Sequence, residues 1–118
     1  MIIASSPSKY IQIQSTFEKR DDASKMATGL LDAKLAACCR VSEMQTHYDW
    51  KGKRESNQEF LLTATTKAKL FKKCEALIAQ SHPYETPAIM AIGITHANKS
   101  YANWVKQNLA RGARDGVC

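Results

Sequence analysis

The stretch that decides the fold runs from Cys38 to Thr66 and reads CCRVSEMQTHYDWKGKRESNQEFLLTATT. Its two arms are rich in β-forming residues without a helical stripe, and Gly52 stands between them. Glycine readily adopts the positive φ that tight hairpin turns require. The pattern therefore predicts a long antiparallel hairpin that turns near residues 51–53, with its second strand over 60–66.

The residues before this hairpin predict a strand followed by a helix. Residues 10–14 alternate strictly between apolar and polar side chains, which is typical of a strand with one buried face. Over residues 23–37 the period changes, and the apolar side chains share one broad face of a helical wheel. We therefore expect a helix there that covers the sheet, with Asp21 or Asp22 as its cap.

The residues after the hairpin predict a second helix, a strand and a short last helix. Apolar side chains over residues 70–78 fall within an arc of about 120° on the helical wheel. Pro83 then ends this helix and begins an extended stretch over residues 82–87. Residues 88–95 have the most β-like composition of the chain, and a final helix is expected to begin near Asn98.

The order strand, helix, strand, strand, helix, strand and short helix predicts one fold class. Two βαβ units with right-handed crossovers give a split β-α-β sandwich, an α+β fold with helices on one face of an antiparallel sheet. The opposite face of such a sheet lacks cover. Burial of that face against further copies of the chain is the simplest solution, so we expect a homo-oligomer.

Length and composition indicate a single globular domain. The chain has 118 residues, of which 44% are apolar and 24% charged, values that exclude a disordered or fibrous protein. We expect the domain over 10–110, a flexible arm over 1–9 and a flexible tail over 111–118. Since no apolar run is long enough to span a bilayer and the first residues do not resemble a secretory signal, we expect a cytoplasmic protein without membrane contact.

Charge and cysteine spacing exclude two further classes of protein. Lysine and arginine number 17 against 11 aspartates and glutamates, a net charge of +6 that favours polyanions only in a general way. The basic residues are dispersed and accompany no nucleic-acid motif, so we expect no specific nucleic-acid partner. The four cysteines form no Cys-x-x-Cys pair, which argues against a zinc site or a disulfide framework.

Five segments occur in an order that resembles the CutA family of divalent-cation tolerance proteins. They are LAAC at 35–38, YDWKGK at 48–53, EFLLTATTK at 59–67, HPYETP at 82–87 and YANW at 101–104. Each segment alone is a weak signal, whereas the ordered set at matching intervals is specific. The likeness extends from about Tyr10 to Leu109.

This resemblance implies a ferredoxin-like fold that assembles as a homotrimer. It also implies a role in tolerance of copper and other divalent metals, without an established enzymatic activity, and an architecture similar to that of the PII signalling proteins. The sequence contains no Ser-His-Asp pattern, phosphate-binding glycine loop or metal-hydrolase motif, so we expect no enzyme. Cu²⁺ or another divalent cation is the expected inorganic ligand, and no organic cofactor is indicated.

His82 is the candidate metal ligand. Imidazole suits Cu²⁺, and His82 stands directly before Pro83 at the exit of the second helix. The same position suits a histidine that caps the helix and packs locally, so both roles remain open. Copper binding in some family members is attributed to a first-strand cysteine and a histidine pair ahead of the Pro-Tyr, where this chain has Ser15 and Ser81-His82. The resemblance therefore does not carry a thiolate-containing copper site over to this chain.

The resemblance also implies a cleft where the hairpin of one subunit meets its neighbour. Its members would be Trp50, Glu59, Lys67, His82, Tyr84 and Glu85. The sequence pattern itself supports such a cleft in part. Trp50 lies at a hairpin tip without a local core, and Lys67 lies on the apolar side of the second helix. Such a set suits a small anion or a metal-bound ligand, and it suits inter-subunit packing and ion pairs equally well.

Three functions follow as alternatives. The leading one is a homotrimeric, non-catalytic protein of divalent-metal tolerance that binds copper modestly through imidazole. The second is a PII-like sensor that binds an anionic metabolite or nucleotide between subunits. The third is a structural scaffold in which the assembly itself is the function.

Overall fold

The computed structural model describes residues 8–109 and has the predicted α+β architecture. Its elements are β1 (Tyr10–Phe17), α1 (Arg20–Asp32), β2 (Cys38–Trp50), β3 (Lys53–Lys67), a 3-10 turn (Ala68–Leu70), α2 (Phe71–Ser81), β4 (Met90–Ile94) and α3 (Lys99–Gln107). The strands form one antiparallel sheet in the order β2-β3-β1-β4. This is the ferredoxin-like strand order, so the predicted fold class is confirmed.

The predicted terminal segments fall almost entirely outside the described residues. The tail over 111–118 lies beyond them, and so do residues 1–7 of the predicted arm. The last residue of that arm is tied to the domain, because the Lys9 carbonyl accepts a hydrogen bond of 2.8 Å from the Ala68 amide.

The long hairpin of β2 and β3 turns at the predicted place. Trp50 pairs with Lys53, which leaves Lys51 and Gly52 as a two-residue loop. Both loop residues have positive φ, 52° and 81°, as required by the hairpin turns whose twist matches that of the flanking strands. The polar residues 53–59 also pair with β2, so the second strand begins earlier than predicted.

The first helix ends earlier than the apolar pattern predicted. It spans Arg20–Asp32, and Lys34 follows with a φ of 60°. The amide of Lys34 donates to the Leu31 carbonyl and the amide of Leu35 to the Leu30 carbonyl, at 3.0 Å and 2.9 Å. These two bonds form a Schellman motif, in which a left-handed residue ends the helix. The apolar residues 35–37 consequently leave the helix and lead into β2.

The register of the sheet separates two faces, because residues directly opposite each other project to the same side. α1 and α2 cover the first face, where the main hydrophobic core lies. Its strand members are Ile11, Ile13, Phe17, Leu62 and Ala64, and they pack with Leu30 of α1 and Ile78 of α2.

The second face is covered only in part. Met44, Met90 and Ile92 project from it and are 37%, 52% and 50% exposed. α3 lies on this face at one end, since its Val105 lines a small cavity together with Ile94 and other strand residues of the second face. The expected cover of one face by the two crossover helices is confirmed for α1 and α2, and the short α3 adds partial cover to the second face.

Candidate functional site

A pocket of about 410 Å³ opens on the second sheet face beside the hairpin. Tyr48 and Trp50 of β2 and Glu59 of β3 form its strand side. Tyr84 and Glu85, from the linker between α2 and β4 (residues 82–89, here called the linker), form the opposite side. The remaining lining residues are Thr16, Thr46, Thr86 and Ala88.

The linker is fixed to the sheet by His82. Pro83 restricts the preceding residue to extended backbone, so α2 ends at Ser81 and His82 has a φ of −71° and a ψ of 133°. The imidazole stacks on the ring of Phe17, with 4.3 Å between ring centroids and 18° between planes. Its Nε2 donates to the Thr16 carbonyl at 2.9 Å, which ties the start of the linker to the end of β1.

Tyr84 connects the linker to the floor of the pocket. Its amide donates to Nδ1 of His82 at 3.1 Å, and its hydroxyl donates to Oε2 of Glu59 at 2.5 Å. Glu59 is only 5% exposed. Desolvation, followed by the hydrogen bond and charge of Glu59, raises the pKa of Tyr84 well above its usual value, so the phenol stays protonated and remains a donor.

The hairpin tip closes the outer side of the pocket. Nζ of Lys51 lies 5.5 Å from the centroid of the Trp50 ring and 3.8 Å from Oε1 of Glu85. A lysine ammonium at the rim of the pocket therefore contacts an aromatic face and a carboxylate of the lining at the same time. Both side chains of this ion pair are largely exposed, so its contribution to stability is small.

Four of the six residues predicted for the cleft line this pocket in one subunit: Trp50, Glu59, Tyr84 and Glu85. His82 supports the pocket through Tyr84 without lining it. Sequence reasoning missed Tyr48. The alternation of β2 contained a signal for it, because Tyr48 lies two residues before Trp50 and therefore on the same face.

Lys67 lies at the other end of the same sheet face. It is the last residue of β3, eight residues beyond Glu59, which corresponds to roughly 27 Å along a strand. Partial burial, followed by three neighbouring lysines, lowers its pKa. Within one subunit Lys67 is therefore separated from the pocket, and the predicted meeting of Lys67 with the other cleft residues requires a second copy.

The environment of His82 does not resemble that of a metal ligand. Nε2 carries the proton that bonds the Thr16 carbonyl, and the lone pair of Nδ1 accepts from the Tyr84 amide. A neutral imidazole has no further lone pair, so ligation would require the loss of one of these bonds. Across residues 8–109, no group of three or more histidine, cysteine, aspartate or glutamate side chains is placed to hold a metal ion.

Cys39, which is half-buried, and Cys74, which is buried, are equally unsuited to metal binding. Burial, and to a lesser extent the nearby Cys38 and Cys74, raises the pKa of Cys39 to about 12, and burial raises the pKa of Cys74 to about 11. Their thiols face the carbonyls of Ala27 and Leu35 at 3.8 Å and 3.3 Å. Because the thiolate is the form that binds metals, both side chains act as packing residues.

Stability should fall as His82 becomes protonated. Desolvation outweighs the Thr16 hydrogen bond and the charges of Asp22 and Glu59, so the pKa of His82 is lower in the folded chain than its ordinary value of about 6.5. The unfolded chain therefore binds the proton first as the pH falls. Full stability is present above about pH 6.5 and is lost progressively as the pH falls through the folded pKa.

Chemical denaturation between about pH 7.5 and pH 5.5 measures this effect, with His82→Gln as the non-titrating variant. We expect a flatter pH profile for His82→Gln than for the wild type. The matched control is His47→Gln, the same change at an exposed histidine of β2, and it should keep the wild-type slope. Parallel profiles for wild type and His82→Gln would show that protonation of His82 does not cause the loss of stability at low pH.

The sheet order, the two covering helices and the pocket on the second face define a small α+β protein of the ferredoxin-like class with a pocket of ligand size. The chain belongs to the CutA1 divalent ion tolerance protein family, whose sequence profile matches residues 11–108. The family resemblance inferred from the sequence is thereby confirmed.

Individual relatives agree with this assignment. A probable divalent-cation tolerance protein cutA homolog from Encephalitozoon cuniculi is 33% identical over 93 residues, which cover 79% of this chain and 82% of the relative. The divalent-cation tolerance protein CutA of Pyrococcus horikoshii is 32% identical and covers 80% of this chain and 93% of the relative. Among solved structures, CutA1 from Shewanella superposes with a TM-score of 0.86 at 27% identity, covering 90% of this chain and all of the other.

The expectation of a cytoplasmic protein is corrected by two relatives. Protein CutA of Arabidopsis thaliana, 30% identical over 83% of this chain and 54% of the relative, is chloroplastic. The CutA structure from Archaeoglobus fulgidus, with a TM-score of 0.82 at 29% identity, covers 84% of this chain and 97% of the other, and it is described as a periplasmic protein. In the described part of the chain, every helix is too short or too polar to cross a membrane.

Proposed function

We propose that this chain acts in divalent-cation tolerance as a non-catalytic homotrimer. The family supports the role in tolerance, and the trimer is the assembly that the family resemblance implies. In the pocket, the raised pKa of Tyr84 keeps its phenol protonated, so this side chain is unavailable as a general base. The buried carboxylate of Glu59 is engaged by that same phenol.

The main structural support for the proposed homotrimer is the uncovered centre of the second sheet face. α3 covers one end of this face and the linker covers the other, whereas Met90 and Ile92 of β4 between them are exposed, as is Met44 on the opposite edge strand. Met90 and Ile92 lie two residues apart on one strand and form an exposed apolar pair, which an interface with another copy would bury. β4 adds an edge strand of only five residues, and its outer edge pairs with no other strand of residues 8–109, so another copy could pair with it there.

The charge variant Ile92→Glu tests the assembly in analytical ultracentrifugation. We expect the wild type to sediment as a trimer and Ile92→Glu to shift towards single subunits, because the interface would have to bury an unpaired carboxylate. The matched control is Lys72→Glu, at an exposed position of α2, which should leave the trimer intact. A wild-type protein that sediments as a single subunit at micromolar concentration would refute the proposal.

We also propose that copper binding is modest and relies on exposed imidazoles. His47 and His96 are exposed, whereas both ring nitrogens of His82 are engaged. Calorimetric titration with Cu²⁺ should give a dissociation constant for His82→Ala within about twofold of the wild type, and a loss of at least about tenfold for the double variant of His47 and His96. A tenfold loss in His82→Ala would instead identify His82 as a ligand and show that the linker opens for copper.

A small-molecule sensor is the second candidate function, and the pocket of about 410 Å³ favours it, because small-molecule sites have volumes of this order. The anionic ligand expected from the PII likeness does not suit the pocket of one subunit, whose charged lining residues are Glu59 and Glu85. An anion would require the ammonium of Lys67 from another copy. Titration with choline and with acetate distinguishes a cationic from an anionic ligand.

A further inference from the structure

The pocket combines three aromatic rings with two carboxylates. The rings belong to Tyr48, Trp50 and Tyr84, the carboxylates to Glu59 and Glu85, and every other lining residue is threonine or alanine. Within one subunit the lining therefore contains no basic side chain. Aromatic faces carry negative electrostatic potential, so rings and carboxylates both attract a positive charge.

The carboxylate of Glu59 strengthens this preference. It is 5% exposed, and within residues 8–109 it forms a hydrogen bond to Tyr84 and no ion pair. A buried carboxylate is costly unless it is paired with a positive charge or neutralised. A cation in the pocket would supply the missing partner.

Lys51 indicates which kind of cation fits. Its ammonium already lies at the rim, 5.5 Å from the Trp50 ring centroid and 3.8 Å from Oε1 of Glu85. A metal ion is a poorer fit, because divalent ions require several oxygen, nitrogen or sulfur ligands and the described residues offer no such group. Organic ammonium groups, in contrast, are recognised by aromatic rings together with a carboxylate.

We infer that the pocket between the hairpin and the linker binds a small organic cation, with Trp50 and Tyr84 against its alkyl groups and Glu59 as its counter-ion. This inference rests on the small-molecule alternative for the function and specifies the ligand class for that site. Lys51 occupies the rim of the pocket and would compete with the ligand for Trp50 and Glu85.

Choline provides a probe, and its uncharged isostere, in which carbon replaces the quaternary nitrogen, provides the control. Titration of the full chain is followed by calorimetry and by the indole N–H signals of the two tryptophans, Trp50 in the pocket and Trp104 on α3. We expect saturable binding of choline that shifts the Trp50 signal and leaves Trp104 unchanged. The isostere should bind at least about tenfold more weakly.

Variants define the contribution of each group. Trp50→Ala and Glu59→Gln should each weaken choline binding at least about tenfold, while Trp104→Ala, an exposed tryptophan outside the pocket, should have no effect. Lys51→Met should strengthen binding, because it removes a competing cation. Since Glu59→Gln changes a buried residue, Glu85→Gln at an exposed position serves as a second variant and should also weaken binding, to a smaller extent.

Three results would overturn the inference. Equal binding of choline and its isostere would show an apolar pocket without charge selectivity. Saturable binding of acetate that Lys67→Ala abolishes would identify an anion site completed by another copy. Absence of choline binding at millimolar concentration would show that the pocket is filled or closed. Sedimentation of the same samples separates these failures from failure of the proposed trimer, because a trimer that binds no choline refutes only the ligand.

Discussion

Phe17→Ala is expected to lower the free energy of unfolding by about 3–5 kcal/mol, the range measured for truncation of buried aromatic side chains. Phe17 is 1% exposed and lies at the end of β1, between the covering helices and the linker. Its removal would leave a cavity in the core. It would also take away the ring on which the His82 imidazole stacks at 4.3 Å, so the linker should lose its attachment as well.

Urea denaturation measures this loss, and Trp104→Ala provides the comparison. Trp104 is 43% exposed on α3, and its truncation should change the free energy of unfolding by less than about 1 kcal/mol. The amide signal of Tyr84 should shift in Phe17→Ala and not in Trp104→Ala, because only the first change disturbs His82. A loss below about 1 kcal/mol in Phe17→Ala would show that Phe17 does not hold the linker and the core together.

The second large effect is expected at the hydrogen bond between Tyr84 and Glu59. Tyr84→Phe removes a single oxygen atom and leaves the Glu59 carboxylate, 5% exposed, without its donor. Loss of one partner from a buried polar pair costs about 1–3 kcal/mol, and more when the remaining group is charged. We expect a loss in this range, together with a less ordered linker.

A double-mutant cycle with Glu59→Gln isolates the pair, since the two changes together should cost less than the sum of the single changes. Tyr48→Phe is the matched control. Its hydroxyl accepts a hydrogen bond from Nδ2 of Asn57 at an exposed position, so the same substitution should cost less than about 0.5 kcal/mol there. Additive losses in the cycle would show that Tyr84 and Glu59 do not stabilise each other.

Local chemistry made the hairpin the most predictable part of the fold. Gly52 supplies a positive φ without a steric penalty, so the turn position followed from one residue. The end of α1 was less predictable, because Lys34 occupies the left-handed position where a glycine would have been a recognisable signal. The apolar period continued to Ala37, although the helix itself stopped at Asp32.

The pocket could be predicted only as a set of residues, and its geometry depends on tertiary contacts. Trp50, Glu59, Tyr84 and Glu85 followed from the ordered family motifs, and they do line one pocket. The position of His82 against Phe17 depends on where the linker crosses the end of β1, which no local pattern contains. The separation of Lys67 from Glu59 follows directly from their positions eight residues apart on one strand.

The two protonated thiols of Cys39 and Cys74 resist alkylating reagents and oxidants in the folded chain. Cys39 and Cys74 are half-buried and buried, respectively, and their high pKa values keep the reactive thiolate scarce. Reagents would therefore reach them mainly when the layer between the helices and the sheet opens. Labelling rates at these two positions thus measure how often that layer separates under native conditions.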